Sequence, residues 1–416
     1  MGSSCFISGV DASAFSLANL PYGVFSAPHQ PPRPCVRVGE AVLDLCSLER
    51  RGLLPSSAAL PLFDTPTLNT FMSAGPQVWA GVRQQLQQLL AVETPTLRDA
   101  PDVQAQVLHP LSDVTLHLPV RIGNYTDFYA SRQHATNVGT LFRGPNNALP
   151  PNWLHLPIGY HGRASSVVVS GTPIRRPSGQ MRPAGAEAPV FGPSQELDLE
   201  VELGAVIGTG NALGAPIPVD EAPAHIFGYV LVNDWSARDI QRWEYKPLGP
   251  FLGKSFATTI SPWIVPAAAL EPFRVALDPQ MPAPLPYLNQ GERLGIDIDL
   301  AVDLMAENGT AMSIIETNAQ YLYWTFPQMV AHHTVNGCNL QPGDLLASGT
   351  ISGPAPHSFG SLLERTTGGA RALMLSDGST RTFLADGDTI VLRGEARRGD
   401  LRIGFGEARG TVQPAQ

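Results

Sequence analysis

Cysteine is scarce in this chain. There are four in 416 residues (Cys5, Cys35, Cys46 and Cys338), and none forms a C-x-x-C pair. That excludes a zinc knuckle and a disulfide framework as organising features. No apolar run approaches the roughly 20 residues of a membrane span, so a membrane partner is not expected. Charged residues make up only 15%, contain no basic block and leave a net charge of -9. Nucleic acid is therefore not an expected partner either. The first basic residue is Arg33, so a charged secretory leader is not expected and the expected address is cytoplasmic.

The common phosphate and nucleophile motifs are missing too. Gly249-Pro250-Phe251-Leu252-Gly253-Lys254-Ser255 has one residue too few between its glycines for a phosphate loop, and Pro250 lacks the backbone donor such a loop needs. Gly208-Thr209-Gly210-Asn211-Ala212-Leu213-Gly214 places its last glycine one residue late for a dinucleotide fingerprint. Pro216 and Pro218 then follow where a helix should start. No G-x-S-x-G elbow occurs.

Turn formers are abundant, with 40 glycines and 39 prolines, and hydrophobic residues make up 43%. The length allows two or more domains with ample core. The turn content predicts a mainly β protein with a few helices (α+β). Strands are predicted over 165–169, 197–206, 226–232, 296–302, 345–347 and 389–392. Two more flank a turn at Gly39-Glu40. A helix is predicted over 76–91 from the spacing of Val78, Val82, Leu86, Leu89 and Leu90. Thr65-Pro66-Thr67 reads as a further helix start. A helix over 318–334 should be kinked or broken by Pro327. Residues 1–118 hold nothing with a catalytic look and form an expected N-terminal unit. The texture changes at 119, where polar and aromatic residues interleave.

One segment stands out. In Leu197-Asp198-Leu199-Glu200-Val201-Glu202-Leu203, apolar and acidic residues alternate. A strand would send the apolar set into a core and gather Asp198, Glu200 and Glu202 on the opposite face, about 7 Å apart. Carboxylates that close repel unless a cation or protons neutralise them, which points to a hard divalent metal. The bland alternative is a solvated edge strand. Two other stretches supply candidates. The 226–232 strand ends at Asn233-Asp234, where Ser236 and Asp239 suggest a helix cap. Beyond it, Arg238, Gln241 and Tyr245 share a helical face, and Trp235, Ile240 and Trp243 provide apolar bulk to bury the helix. Around 124–134, Thr126 or Asp127 reads as a second helix cap. Asp127 and His134 would then lie on one face about 10 Å apart, with Tyr129, Arg132 and Arg143 close by.

These residues also carry a resemblance. Tyr125-Thr126-Asp127-Phe128-Tyr129, Ser131-Arg132-Gln133-His134-Ala135-Thr136-Asn137, Pro157-Ile158-Gly159-Tyr160-His161-Gly162-Arg163 and Asn233-Asp234-Trp235-Ser236-Ala237-Arg238-Asp239-Ile240-Gln241 resemble the fumarylacetoacetate hydrolase family. So do residues 249–256 and 343–353. The resemblance implies a small N-terminal SH3-like barrel over 1–118, a larger catalytic β-roll domain over 119–416, and a homodimer. It implies hydrolytic cleavage of a carbon–carbon bond in a small diketo acid, the last step of tyrosine and phenylalanine degradation. By the same likeness the metal ligands are Asp127, Glu200, Glu202 and Asp234, and an all-oxygen set suits Mg²⁺ or Ca²⁺, with Mn²⁺ a third fit. Asp198 becomes a neighbour of the ligands rather than one of them. The family pattern makes His134 the base with Glu364 as its partner. It assigns Arg238, Gln241 and Lys254 to the oxyanion, and Tyr129, Arg143, Tyr160, Gln241, Tyr245 and Thr350 to the substrate. Lys254 and Thr258 lie near a second metal position. The nearest rival is a sibling oxo-acid hydrolase or decarboxylase of the same superfamily. A non-catalytic Ca²⁺-binding protein is a more distant one.

Overall fold

The computed structural model describes residues 4–54, 61–307 and 309–416. Strands dominate, as the turn content predicts. Among the described residues, no helix is long and apolar enough to cross a membrane. Near the N-terminus five antiparallel strands pair in the order Leu108–Pro110, Ala41–Asp44, Arg33–Val38, Tyr22–Ser26, Thr115–His117. Gly39 takes a positive φ of 56° between the second and third of these, the conformation its turn requires. The predicted helix appears as Pro76–Leu90 and buries Val82, Leu86, Leu89 and Leu90.

The central sheet has eight strands. Its order is Gly159–His161, Tyr125–Phe128, Leu345–Ala347, Val201–Ile207, Ile226–Asp234, Thr258–Ile260, Val167–Val169, with Val265–Pro266 also paired to Ile226–Asp234. Alternation divides its side chains between two cores. Leu203, Ala205, Tyr229 and Leu231 face one core, which a second, five-stranded sheet built around Asp299–Met305 and Thr389–Arg398 completes. Val206, Val230 and Val232 face the other, as does Phe227 at the register shift opposite Val206 and Ile207, and Tyr22, Val24, Phe71 and Leu86 of the N-terminal region join them. Tyr22 and Phe227 have ring centroids 5.3 Å apart. The N-terminal region is thus packed onto the sheet that carries the site.

Several expected elements are corrected. The 318–334 helix is two pieces, a 3-10 turn at Ala319–Tyr321 and a helix at Phe326–Thr334. Pro327 sits in the first turn of the latter, where its missing N–H costs nothing, and Thr325 with Gln328 forms a capping box. No helix starts at Thr65, whose hydroxyl donates to the Thr67 carbonyl; the helix begins at Asn69. The 197–206 and 296–302 strands are each interrupted, because short segments pair with different partners on either side of a break.

Candidate active site and metal centre

Strand register builds the acidic cluster. Asp127 lies opposite Ala347, which pairs onward with Gly204 two residues past Glu202. Glu202 lies opposite Val232, two residues before Asp234. Period-two alternation therefore puts Glu202 and Asp234 on one face of adjacent strands. Glu200 comes from the break between Leu197–Asp198 and Val201–Ile207, where its N–H donates to Asn233 Oδ1 at 3.1 Å. All four carboxylates are buried. One oxygen from each lies within 4.8 Å of the other three.

Four buried carboxylates so close are unfavourable without positive charge. Part of that charge comes from the protein. Lys254 Nζ bridges Glu200 and Asp234, at 2.7 Å from Asp234 Oδ2. Arg238 Nη2 is 2.7 Å from Glu200 Oε1. Burial would raise the Glu200 carboxyl, but Lys254, Arg238 and His134 outweigh it and bring the value down to about 2. Asp127 and Glu202 lack such a partner. Burial first, then the neighbouring carboxylates, push both well above the usual carboxylate range. Asp127 Oδ1 and Glu202 Oε1 are buried without any hydrogen-bond donor. Two orphaned oxygens in an all-oxygen set fit a hard divalent cation, and these four residues could hold one.

Two tyrosine hydroxyls, the Thr258 hydroxyl and one backbone amide bind the remaining oxygens. Tyr160 Oη lies 2.8 Å from Asp234 Oδ2 and 3.2 Å from Asp127 Oδ2, and Tyr125 Oη is 3.3 Å from the latter. Thr258 Oγ1 donates to Asp234 Oδ1 at 3.0 Å. The Gly349 N–H donates to Glu202 Oε2 at 3.1 Å. Gly349 has φ 74°, and a Cβ there would meet the Phe128 carbonyl at 2.1 Å, so glycine alone brings that amide to the carboxylate. A cavity of about 230 Å³ lined by Tyr160, Asp234, Phe251, Lys254 and Thr258 reaches the cluster.

Beside it lies a second constellation. His134 Nδ1 is 2.7 Å from Glu364 Oε2, both side chains being buried. His134 stands in the first turn of Arg132–Arg143, whose cap is Ser131. Glu364 lies in the short helix Leu362–Arg365, capped by Ser361. Asn137, Ser352 and Ser361 donate to the Glu364 carboxylate at 2.8 to 3.0 Å. Against the cost of burial, His134 and these donors hold Glu364 below its usual range. The Tyr129 ring meets His134 edge-on at 5.4 Å. The side chains of Arg238 and Gln241 join at 3.2 Å on Arg238–Glu244, and Tyr245 closes that helix. Thr350 is buried with a free hydroxyl. Arg143 is at the far end of the His134 helix, its guanidinium on the carbonyls of Asn147 and Ala148.

Local expectations changed in four places. Tyr125–Phe128 is a strand, so Asp127 is neither a helix cap nor on one helical face with His134; Ser131 is the cap. Ser236 does not cap the next helix, because Ser236–Ala237 pairs with Leu197–Asp198 and its hydroxyl turns back to the Asp234 carbonyl. Trp235 and Ile240 are buried, but Trp243 is 37% exposed. Asp198 does not join Glu200 and Glu202; the break after it turns it to Arg238. Asn137, Ser352 and Ser361 were missed. Asn137 alone left a signal, one helical turn beyond His134.

A buried carboxylate cluster beside a His–Glu pair on a mainly β scaffold has the parts of an enzyme able to hold a divalent cation and to activate water. The family models for the fumarylacetoacetate hydrolase C-terminal region and the fumarylacetoacetase N-terminal region match residues 124–413 and 18–119. Fumarylacetoacetase of Bos taurus is 54% identical over 413 residues, covering 99% of each chain, and that of Arabidopsis thaliana is 50% identical over 414 residues, with 99% and 98% covered. A solved fumarylacetoacetate hydrolase from Exiguobacterium antarcticum, 19% identical, shares the fold at a TM-score of 0.53 over 95% of this chain and all of its own. The chain belongs to the fumarylacetoacetate hydrolase family.

Proposed function

We propose that the chain hydrolyses fumarylacetoacetate to fumarate and acetoacetate, the last step of tyrosine and phenylalanine degradation. The observation that carries this reading is the 2.7 Å contact of His134 with Glu364, next to four carboxylates able to hold a cation. The full-length likeness to fumarylacetoacetases supports the same substrate.

The roles follow from the geometry. Glu364 accepts a hydrogen bond from the Nδ1–H of His134, which leaves the Nε2 lone pair to accept a proton from water. The carboxylate, kept ionised by its four partners, then stabilises the imidazolium. Hydroxide adds to the ketone carbon, and Arg238, Gln241 and Lys254 stabilise the resulting alkoxide. Collapse of that intermediate breaks the carbon–carbon bond, and the proton held on His134 returns to the departing carbanion. Tyr129, Arg143, Tyr160, Tyr245 and Thr350 are the proposed substrate contacts; Arg143 suits a terminal carboxylate. Asp127, Glu200, Glu202 and Asp234 would hold Mg²⁺ or Ca²⁺, which supplies Lewis-acid chemistry to the diketone oxygens when bound. Lys254 and Thr258 flank the proposed second cation position. We read residues 1–118 as a structural unit, and the active species as a cytoplasmic homodimer.

The test is the loss of ultraviolet absorbance of fumarylacetoacetate on adding purified protein, repeated after chelation and after adding back Mg²⁺ or Ca²⁺. Metal-dependent loss with fumarate and acetoacetate as products is expected. No loss with folded, metal-loaded protein would overturn the substrate and direct attention to shorter acylpyruvates.

A further inference from the structure

Asp198 has no place in the reaction as described, yet it is fully buried and saturated with donors. Its Oδ1 accepts from the Leu199 N–H at 2.7 Å and the Leu362 N–H at 2.8 Å. Its Oδ2 accepts from the Leu363 N–H at 2.9 Å and from Arg238 Nε at 2.9 Å. The Leu362 and Leu363 amides open the turn Leu362–Arg365 that carries Glu364. The same turn has Ser361 as its own cap on the Glu364 N–H, so Asp198 satisfies the two amides that the cap does not reach. On its other side, Asp198 fixes one edge of the Arg238 guanidinium while another edge meets Glu200. A planar guanidinium hydrogen-bonded through Nε to Asp198 and through Nη1 to Gln241 cannot rotate freely.

We propose that Asp198 is a positioning residue for the hydrolysis: one buried anion that orients Arg238 toward the oxyanion and docks the turn that presents Glu364 to His134. This rests on the roles given above to Arg238 and Glu364. Charge and acceptor count are both needed. An asparagine has the same shape but one acceptor oxygen, so its NH₂ group would face N–H donors on one of the two sides.

The experiment is a pair of double-mutant cycles on the metal-loaded full chain. Asp198→Asn should retain stoichiometric metal while kcat falls at least about tenfold and KM moves less than about threefold, the split of an interaction that matters in the transition state. In an Arg238→Met background, and separately in Glu364→Gln, the same substitution should cost clearly less than in the parent, because one of its two targets is already gone. If Arg238→Met and Glu364→Gln themselves leave turnover intact, the site reading has failed. If they abolish most of it, the positioning role alone fails in either of two ways: Asp198→Asn stays within about threefold of the parent, or its loss multiplies in full in either background. Should Asp198→Asn not fold, the link is read from the other side. Arg238→Met should shift the ¹⁵N-leucine amide resonances of Leu362 and Leu363, and unmoved resonances overturn the proposal.

Discussion

The ammonium of Lys254 lies 2.7 Å from Asp234 Oδ2, inside a group of carboxylates that could hold a metal. It also meets Glu200, and its charge is held firmly because both partners are buried with it. The lysine is part of what lets four acidic side chains share one place.

Lys254→Met should therefore destabilise the metal-free protein by about 3–5 kcal/mol, the usual cost of breaking a buried pair. Thermal unfolding in chelator measures it. Mg²⁺ or Ca²⁺ should stabilise the variant more than the parent; an unchanged midpoint in chelator would show that the lysine does not neutralise the cluster.

His134→Ala should lower kcat by about 10²–10⁴-fold, the range of a general base, with metal content unchanged. Glu364→Gln should cost less, because an orienting partner is normally worth less than the base. Equal losses would mean that the two act as one unit. Steady-state kinetics on both variants decides.

Glu364 also predicts an acid response. Its folded value lies below that of the unfolded chain, so its stabilising contribution is present above about pH 4.3 and lost as pH falls through the folded value. Glu364→Gln removes that linkage. Its unfolding midpoint should fall less steeply than the parent's between about pH 5 and 3, and parallel curves would contradict the assignment.

Asp127 and Glu202 are pushed the other way, toward the protonated form. A cation requires them ionised, so binding Mg²⁺ or Ca²⁺ should release protons, measurable by titration in weak buffer. Asp234→Ala should lose metal and activity together; stoichiometric metal retained in elemental analysis would remove Asp234 from the ligand set.

Much of the site was legible locally. The alternation from Leu197 to Leu203 predicts a strand with acidic residues on one face; the strand is broken at Leu199–Glu200, yet Glu200 and Glu202 do enter the cluster. The strand ending at Asp234 and the hairpin at Gly39 were also readable, because period-two patterning and turn residues are local signals. Errors came where a local signal had competing solutions. Thr126-Asp127 and Ser236 are good helix caps in isolation, yet strand pairing claims their backbones.

Composition and pattern by themselves determined that this chain is mainly β, that acidic and apolar residues alternate over 197–203, and that its glycine-rich segments do not match phosphate-loop or dinucleotide motifs. Motif likeness added the family and its residues. Only the tertiary structure decided which acids meet. Asp198 and Glu200 look alike in sequence, but one break in a strand sends the first to the Leu362 and Leu363 amides and leaves the second in the carboxylate cluster on Lys254. It also brought Glu364 to His134 across 230 residues. The contact depends on the docking of one four-residue turn, and no local periodicity encodes the distance between segments so far apart in the chain.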